Sequence, residues 1–177
     1  MTSEAALPRR TPGDRVRRAQ LNDAASGFDG FAPISWIKRS GAIASEVLLA
    51  WQDGKLAEVP AGNAWDAVRL PPGTGSAAFQ QLRASGSPLG PVLKTPDAFV
   101  FLVPVGAASD WNLPGVSVLG RGETLRVPHP VMTGPHERDG CSWHHALRDD
   151  DALTDADDLY GAYIGAASFM DGTGALG

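Results

Sequence analysis

From Trp65 to Val127 the chain is cut into apolar-rich runs of four to six residues, each closed by glycine, proline or a short polar turn. This punctuation constrains the fold more than any other feature. Such runs are too short for stable helices and suit strands buried in a sheet. Trp65–Leu70 reads as a buried strand ended by Pro71-Pro72-Gly73. Pro91–Lys94 and Phe99–Val103 read as strands either side of the turn Thr95-Pro96-Asp97. Val116–Leu119 and Thr124–Val127 are expected to form a second pair around Gly120-Arg121-Gly122.

Helical spacing appears in three places. Trp36, Ile37, Ile43, Val47, Leu48 and Trp51 fall largely at three- and four-residue intervals. They predict a helix capped by Ser35 and stopped at Gly54, with Gly41 weakening it by about 1 kcal/mol. The alternative is a hairpin of Val47–Trp51 and Leu56–Val59 around Asp53-Gly54; the helix is favoured. A second helix contains Ala77–Leu82, capped near Ser76 and stopped by Gly86. The third opens at Thr154, with Asp157 completing a capping box and Asp155 and Asp158 complementing the dipole. Its apolar stripe is Leu159, Tyr163, Ile164 and Ala167. Residues 128–150 read as one long loop, broken by Pro128, Pro130, Gly134, Pro135 and Gly140.

The expected organisation is a flexible basic arm over residues 1–30, a single α/β (α+β) domain over 31–170, and a tail over 171–177. The sheet is expected to be antiparallel or mixed, with helices packed against it. No apolar run approaches the roughly 20 residues of a membrane helix. The Arg-rich start has no apolar stretch and is not a secretory signal. The lone cysteine, Cys141, cannot form an intramolecular disulfide, which fits a cytoplasmic setting. Net charge is −5 over 177 residues, unevenly spread. Residues 1–20 carry five arginines against Glu4 and Asp14, a balance of +3 that leaves −8 on the rest. An acidic body is a poor general binder of phosphate, whereas a basic arm can touch phosphate or an acidic partner.

Three stretches in order carry a family resemblance. The first is Trp65-Asp66-Ala67-Val68-Arg69-Leu70-Pro71 with the Ala78-Phe79-x-x-Leu82 helix. The second is Leu89-Gly90-Pro91-Val92 followed by Phe99-Val100-Phe101-Leu102-Val103-Pro104. The third, Gly115 to Pro128, mirrors a Gly-Val-Asp-Val-x-Gly-x-Gly-Gly-x-x-Val-x-Pro-Pro pattern. Over roughly residues 55–168 the chain resembles the N-terminal bifunctional primase–polymerase domain of the archaeo-eukaryotic primase superfamily. It looks most like the divergent small actinobacterial members. The resemblance implies an RRM-like, primase–polymerase-like fold. In active members an Asp-x-Asp pair and a third Asp hold two divalent metals, and a His contacts phosphate. The matching positions here are Arg69, Pro71 and Ser117, and Ala98-Phe99-Val100-Phe101 has no His. Hard cations need carboxylate or phosphate oxygens, so the resemblance implies no metal, no cofactor and no catalytic residue. Asp66 lies three residues before Arg69, and an odd offset on a strand places it on the opposite face.

Other constellations carry less. Cys141, His144, His145, His129 and His136 offer one thiol and match no zinc module, so loop histidines are the expectation. Ser142 with His144 or Asp139 lacks a nucleophile-elbow motif. Pro71 to Ser76 lacks the Lys of a phosphate loop and reads as a tight strand–helix turn. Trp111 reads as a loop Trp covering the sheet, or else as an exposed stacking platform. The expected function is that of a non-catalytic domain, regulatory or accessory. Its contacts with nucleic acid or nucleotide would come from Arg69, Arg121 and Arg126 and from Arg15, Arg17 and Arg18 of the arm. The alternatives are a protein-interaction module, homodimeric, without nucleic-acid binding, and an enzyme of unrelated chemistry in the 128–150 loop. No membrane partner is expected.

Overall fold

Every residue of Ala98–Val103 is buried, so both faces of that strand must be covered. The computed structural model describes residues 33–176, with side chains to residue 169. The arm expected over residues 1–30, with Arg15, Arg17 and Arg18, lies outside the described residues. In chain order the elements are α1 (Ile34–Ser40), α2 (Ala44–Gln52), β1 (Ala57–Pro60), β2 (Asp66–Leu70), α3 (Pro72–Ser85), β3 (Val92–Thr95), β4 (Ala98–Val103), β5 (Ser117–Leu119), β6 (Thr124–Val127), β7 (Ser142–His145) and α4 (Ala156–Leu176). Five strands make one antiparallel sheet in the order β5-β2-β4-β3-β7. β1 and β6 form a separate antiparallel ribbon.

Alternation along β2 and β4 feeds two cores. Ala67, Val100 and Leu102 pack with Trp36, Ile37, Val47, Trp51, Val59 and Val127, under α1, α2 and the ribbon. Val68, Leu70, Phe99, Phe101 and Val103 pack with Phe79, Leu82, Leu159 and Tyr163, under α3 and α4. The molecule is therefore one small α+β domain with its main sheet covered on both sides. Each fully buried large side chain contributes about 1.5–3 kcal/mol, which is why the central strands tolerate few polar residues.

Several expectations require correction. The helix expected from Ser35 to Gly54 is two helices. Gly41 adopts φ +93° and closes α1 in the left-handed region, its N–H donating to Lys38 O. Pro33, not Ser35, occupies the cap position. Gly54, at φ +73°, does end α2. The alternative hairpin's second half exists as β1, but its partner is β6 and not the 47–51 segment.

β5 and β6 occupy the expected positions but do not pair with each other. β5 runs against β2, with Arg69 opposite Ser117, while β6 runs against β1, with Glu58 opposite Arg126. The Gly120–Glu123 turn, closed by Glu123 N–H to Gly120 O and Gly120 N–H to Glu123 Oε1, passes the chain between the sheets. Leu125 and Val127 are buried, and that burial draws β6 onto the ribbon. The 128–150 loop contains one strand, β7, anchored by Trp143, whose indole N–H donates to Pro128 O.

α3 starts at Pro72, a residue suited to the first helical turn, rather than near Ser76. It stops at Gly86 as expected. Thr154 does not cap α4. It is fully buried, and its hydroxyl accepts from Gly90 N–H. Asp155 is the cap, its carboxylate accepting from Asp158 N–H at 2.9 Å. Ile164 of the expected stripe is exposed, and Ala162 is buried in its place. The helix runs on to Leu176, through the segment expected as a tail. No helix among the described residues is long and apolar enough to cross a membrane.

Candidate functional site

The three positions that the primase–polymerase resemblance assigns to metal ligands meet at one end of β2. Arg69 and Ser117 are direct cross-strand partners. Pro71 follows β2 as the residue before α3, and its ring lies against Gly115, two residues before Ser117. The strand–turn–helix after Leu70 sets this arrangement: Gly75 N–H donates to Pro71 O at 2.7 Å, so the helix begins hard against the strand end.

Arg69 is part-exposed and pairs with Asp97 at 3.3 Å. Asp97 sits in the β3–β4 turn, where its carboxylate also accepts from the Thr95 hydroxyl at 3.0 Å. The group is thus a cation, a ring, a hydroxyl and one exposed carboxylate. That donor set cannot hold two hard divalent cations. Asp66 lies on the other side of the strand, part of the alternation that carries Val68 and Leu70 toward α3. It is buried and accepts from Gly106 N–H at 2.9 Å.

The arginines do not share one element. Arg121 follows β5 beside Gly120, whose missing side chain would point toward Asp66, at the far end of β2 from Arg69. Arg126 is on β6, opposite Glu58. Both Arg121 and Arg126 are exposed.

The histidines and Cys141 are dispersed. His144 stands edge-on to Phe79 and Phe99, at 4.5 and 5.0 Å between ring centres. His144 is exposed overall, but partial desolvation against these rings, helped by Lys94, His145 and Arg83, holds it below its ordinary value. His129 packs edge-on to Trp51, and burial lowers it too. His145 Nδ1 is 2.8 Å from Gly90 O. Cys141 is buried in the other core, and burial, then Asp139, pushes its thiol up against the opposing pull of Arg126. Among the described residues no group of three or more His, Cys, Asp or Glu side chains could hold a metal ion. Trp111 is half-buried and stands edge-on to Tyr160, so it covers the α3–α4 core.

Sequence reasoning missed Asp97 as the partner of Arg69. The Thr95-Pro96-Asp97 turn was the available signal, since such turns place an aspartate at a strand end. Comparison with protein-family models, with curated proteins and with solved structures yields no match.

Proposed function

We propose that this chain is a non-catalytic domain derived from a primase–polymerase, acting as a regulatory or accessory protein that contacts nucleic acid or nucleotide. One observation carries the reading. Arg69, Pro71 and Ser117 meet at the end of β2, where the resemblance calls for carboxylates, so phosphate takes the place of metal. The Arg69–Asp97 pair is solvent-exposed, and such pairs contribute about 0–1 kcal/mol. A phosphate can therefore displace Asp97 at little cost. Arg121 and Arg126, both exposed, and Arg15, Arg17 and Arg18 of the basic segment supply further cations.

The test has two arms. Pure protein with primed template and labelled nucleotides should give no extension in Mg²⁺ or Mn²⁺; extension would refute the loss of catalysis. In a binding titration, log K against log salt should be steep, each neutralised duplex phosphate contributing about 0.9 to the slope. Replacing Arg15, Arg17 and Arg18 by Ala should flatten it by roughly 2–3, alike for unrelated sequences. Absence of binding at low salt would remove the nucleic-acid reading.

A second reading is a protein-interaction module that pairs with its own copy. The outward face of α4 favours it: Tyr160 and Ile164 are 40% exposed and Phe169 is 74% exposed. Gly161 and Gly165 on the same helix face open space, so another helix can approach the backbone closely.

A further inference from the structure

Basic side chains from three elements collect around one pair of buried phenyl rings. Phe79 of α3 and Phe99 of β4 belong to the same core. His144 of β7 stands edge-on to both, with ring centres 4.5 and 5.0 Å apart. His145 lies 6.0 Å from the Phe79 ring, and the guanidinium carbon of Arg83 on α3 is 5.8 Å from its centre. Lys94 of β3 is the direct cross-strand partner of Phe99. Such partners share a face of the sheet, so the Lys94 side chain emerges on the same side as the rings.

Arg83, Lys94 and His144 are exposed. Arg69–Asp97 is the one ion pair between described residues, so no carboxylate among them neutralises this group. The charged groups that act on His144, after partial desolvation, are Lys94, His145 and Arg83, and all are basic. His145 turns Nδ1 to Gly90 O at 2.8 Å, which leaves Nε2 outside that contact. The chain beyond residues 1–20 carries −8, so a basic patch without an acidic partner stands out from the surface around it. Charges of one sign above an apolar floor draw a counter-ion strongly.

We propose that this patch binds the phosphate backbone of nucleic acid, with Arg83 and Lys94 as permanent contacts and His144 as a third that joins when protonated. The inference rests on the nucleic-acid reading above and adds a surface which that reading does not use. An open patch with cations spread over three elements suits a chain of phosphates rather than one small anion. A phosphate beside His144 offsets the repulsion from Lys94 and Arg83, so binding raises the proton affinity of the imidazole. By linkage, affinity for the backbone rises as pH falls through the histidine range. Phosphodiesters keep a single charge throughout that range, so the pH dependence belongs to the protein.

Fluorescence anisotropy of a labelled DNA duplex, titrated with the full chain over a salt series and from about pH 8 to about pH 6, tests this. Arg83→Gln with Lys94→Gln keeps the side-chain lengths and removes two charges. The slope of log K against log salt should fall by about 1.8 in that double variant. His144→Gln should leave binding unchanged at the alkaline end and remove most of the gain in affinity at the acid end. Should the double variant unfold, Lys94→Gln alone serves, with about half the change in slope. An undiminished slope would overturn the inference; if replacing Arg15, Arg17 and Arg18 still flattens it, the nucleic-acid reading stands without this patch. No binding of the duplex at low salt would overturn both. An unchanged gain at acid pH in His144→Gln would overturn the role of His144. Polyglutamate bound as tightly as the duplex, and lost in the same double variant, would assign the patch to an acidic protein and overturn its assignment to nucleic acid.

Discussion

His144, exposed on β7 but in contact with two aromatic rings, is one of two histidines that contribute to the pH dependence of the fold. It lies against Phe79 and Phe99, and partial desolvation, followed by Lys94, His145 and Arg83, lowers its proton affinity. His129, half-buried beside Trp51, shifts the same way. A histidine lowered in the folded state takes up protons more readily when unfolded. Stability is therefore complete above the unfolded value of about 6.5, falls as pH drops through it, and levels off below the folded values. Urea midpoints measured from about pH 8 down to 5 should fall in this window, and His144→Gln should make the decline shallower. An identical profile in the variant would show that His144 does not contribute.

At the scale of elements, the fit of α3 onto the sheet rests on the absence of a side chain at Gly75. A Cβ there would stand 2.6 Å from Phe99 Cβ and 3.1 Å from Phe99 Cγ. Alanine favours a helix over glycine by about 1 kcal/mol, but overpacking costs about 1–3 kcal/mol. Gly75→Ala is expected to destabilise, lowering the melting temperature by about 2–4 °C per kcal/mol for a chain of this size. Gly161→Ala in α4 meets nothing within 4 Å and is expected to raise it slightly. Thermal melts of the two variants should move in opposite directions; a rise with Gly75→Ala would mean that α3 can shift away from β4. The same close approach explains why α3 begins at Pro72, since the helix must start where the chain leaves β2 to bring Gly75 onto Phe99.

For the whole molecule, the distribution of charge and apolar surface separates the two functional readings. The chain outside residues 1–20 carries −8, so a nucleic-acid contact has to be local, at the arginines, with the rest of the surface repelling phosphate. The apolar face of α4, with Ile164 and Phe169 exposed, is the feature suited to a protein contact. Light scattering across a concentration series should give a dimer mass if a second copy covers this face, and Ile164→Asp with Phe169→Asp should return it to the monomer. A monomer at every concentration would exclude the self-association reading and leave the nucleic-acid reading unaffected.

Local chemistry in the sequence determined where most elements lie. Short apolar runs located the β2, β3, β4, β5 and β6 strands, and Gly54 and Gly86 stopped their helices, because strand burial and left-handed caps depend on a few adjacent residues. The alternation along β2 likewise placed Asp66 on the face opposite Arg69, where the structure has it. Only tertiary structure decided the partners. β5 and β6 look like a hairpin until the burial of Leu125 and Val127 draws one of them to β1. Thr154 has the character of a cap, but Gly90, 64 residues away, claims its hydroxyl. Trp36 and Trp65 read as ordinary apolar positions; that they stack together in one cavity wall depends on α1 folding over the start of β2. Pairing across such distances is set by which buried surfaces and polar groups satisfy one another in three dimensions, and a local pattern of residues does not encode that choice.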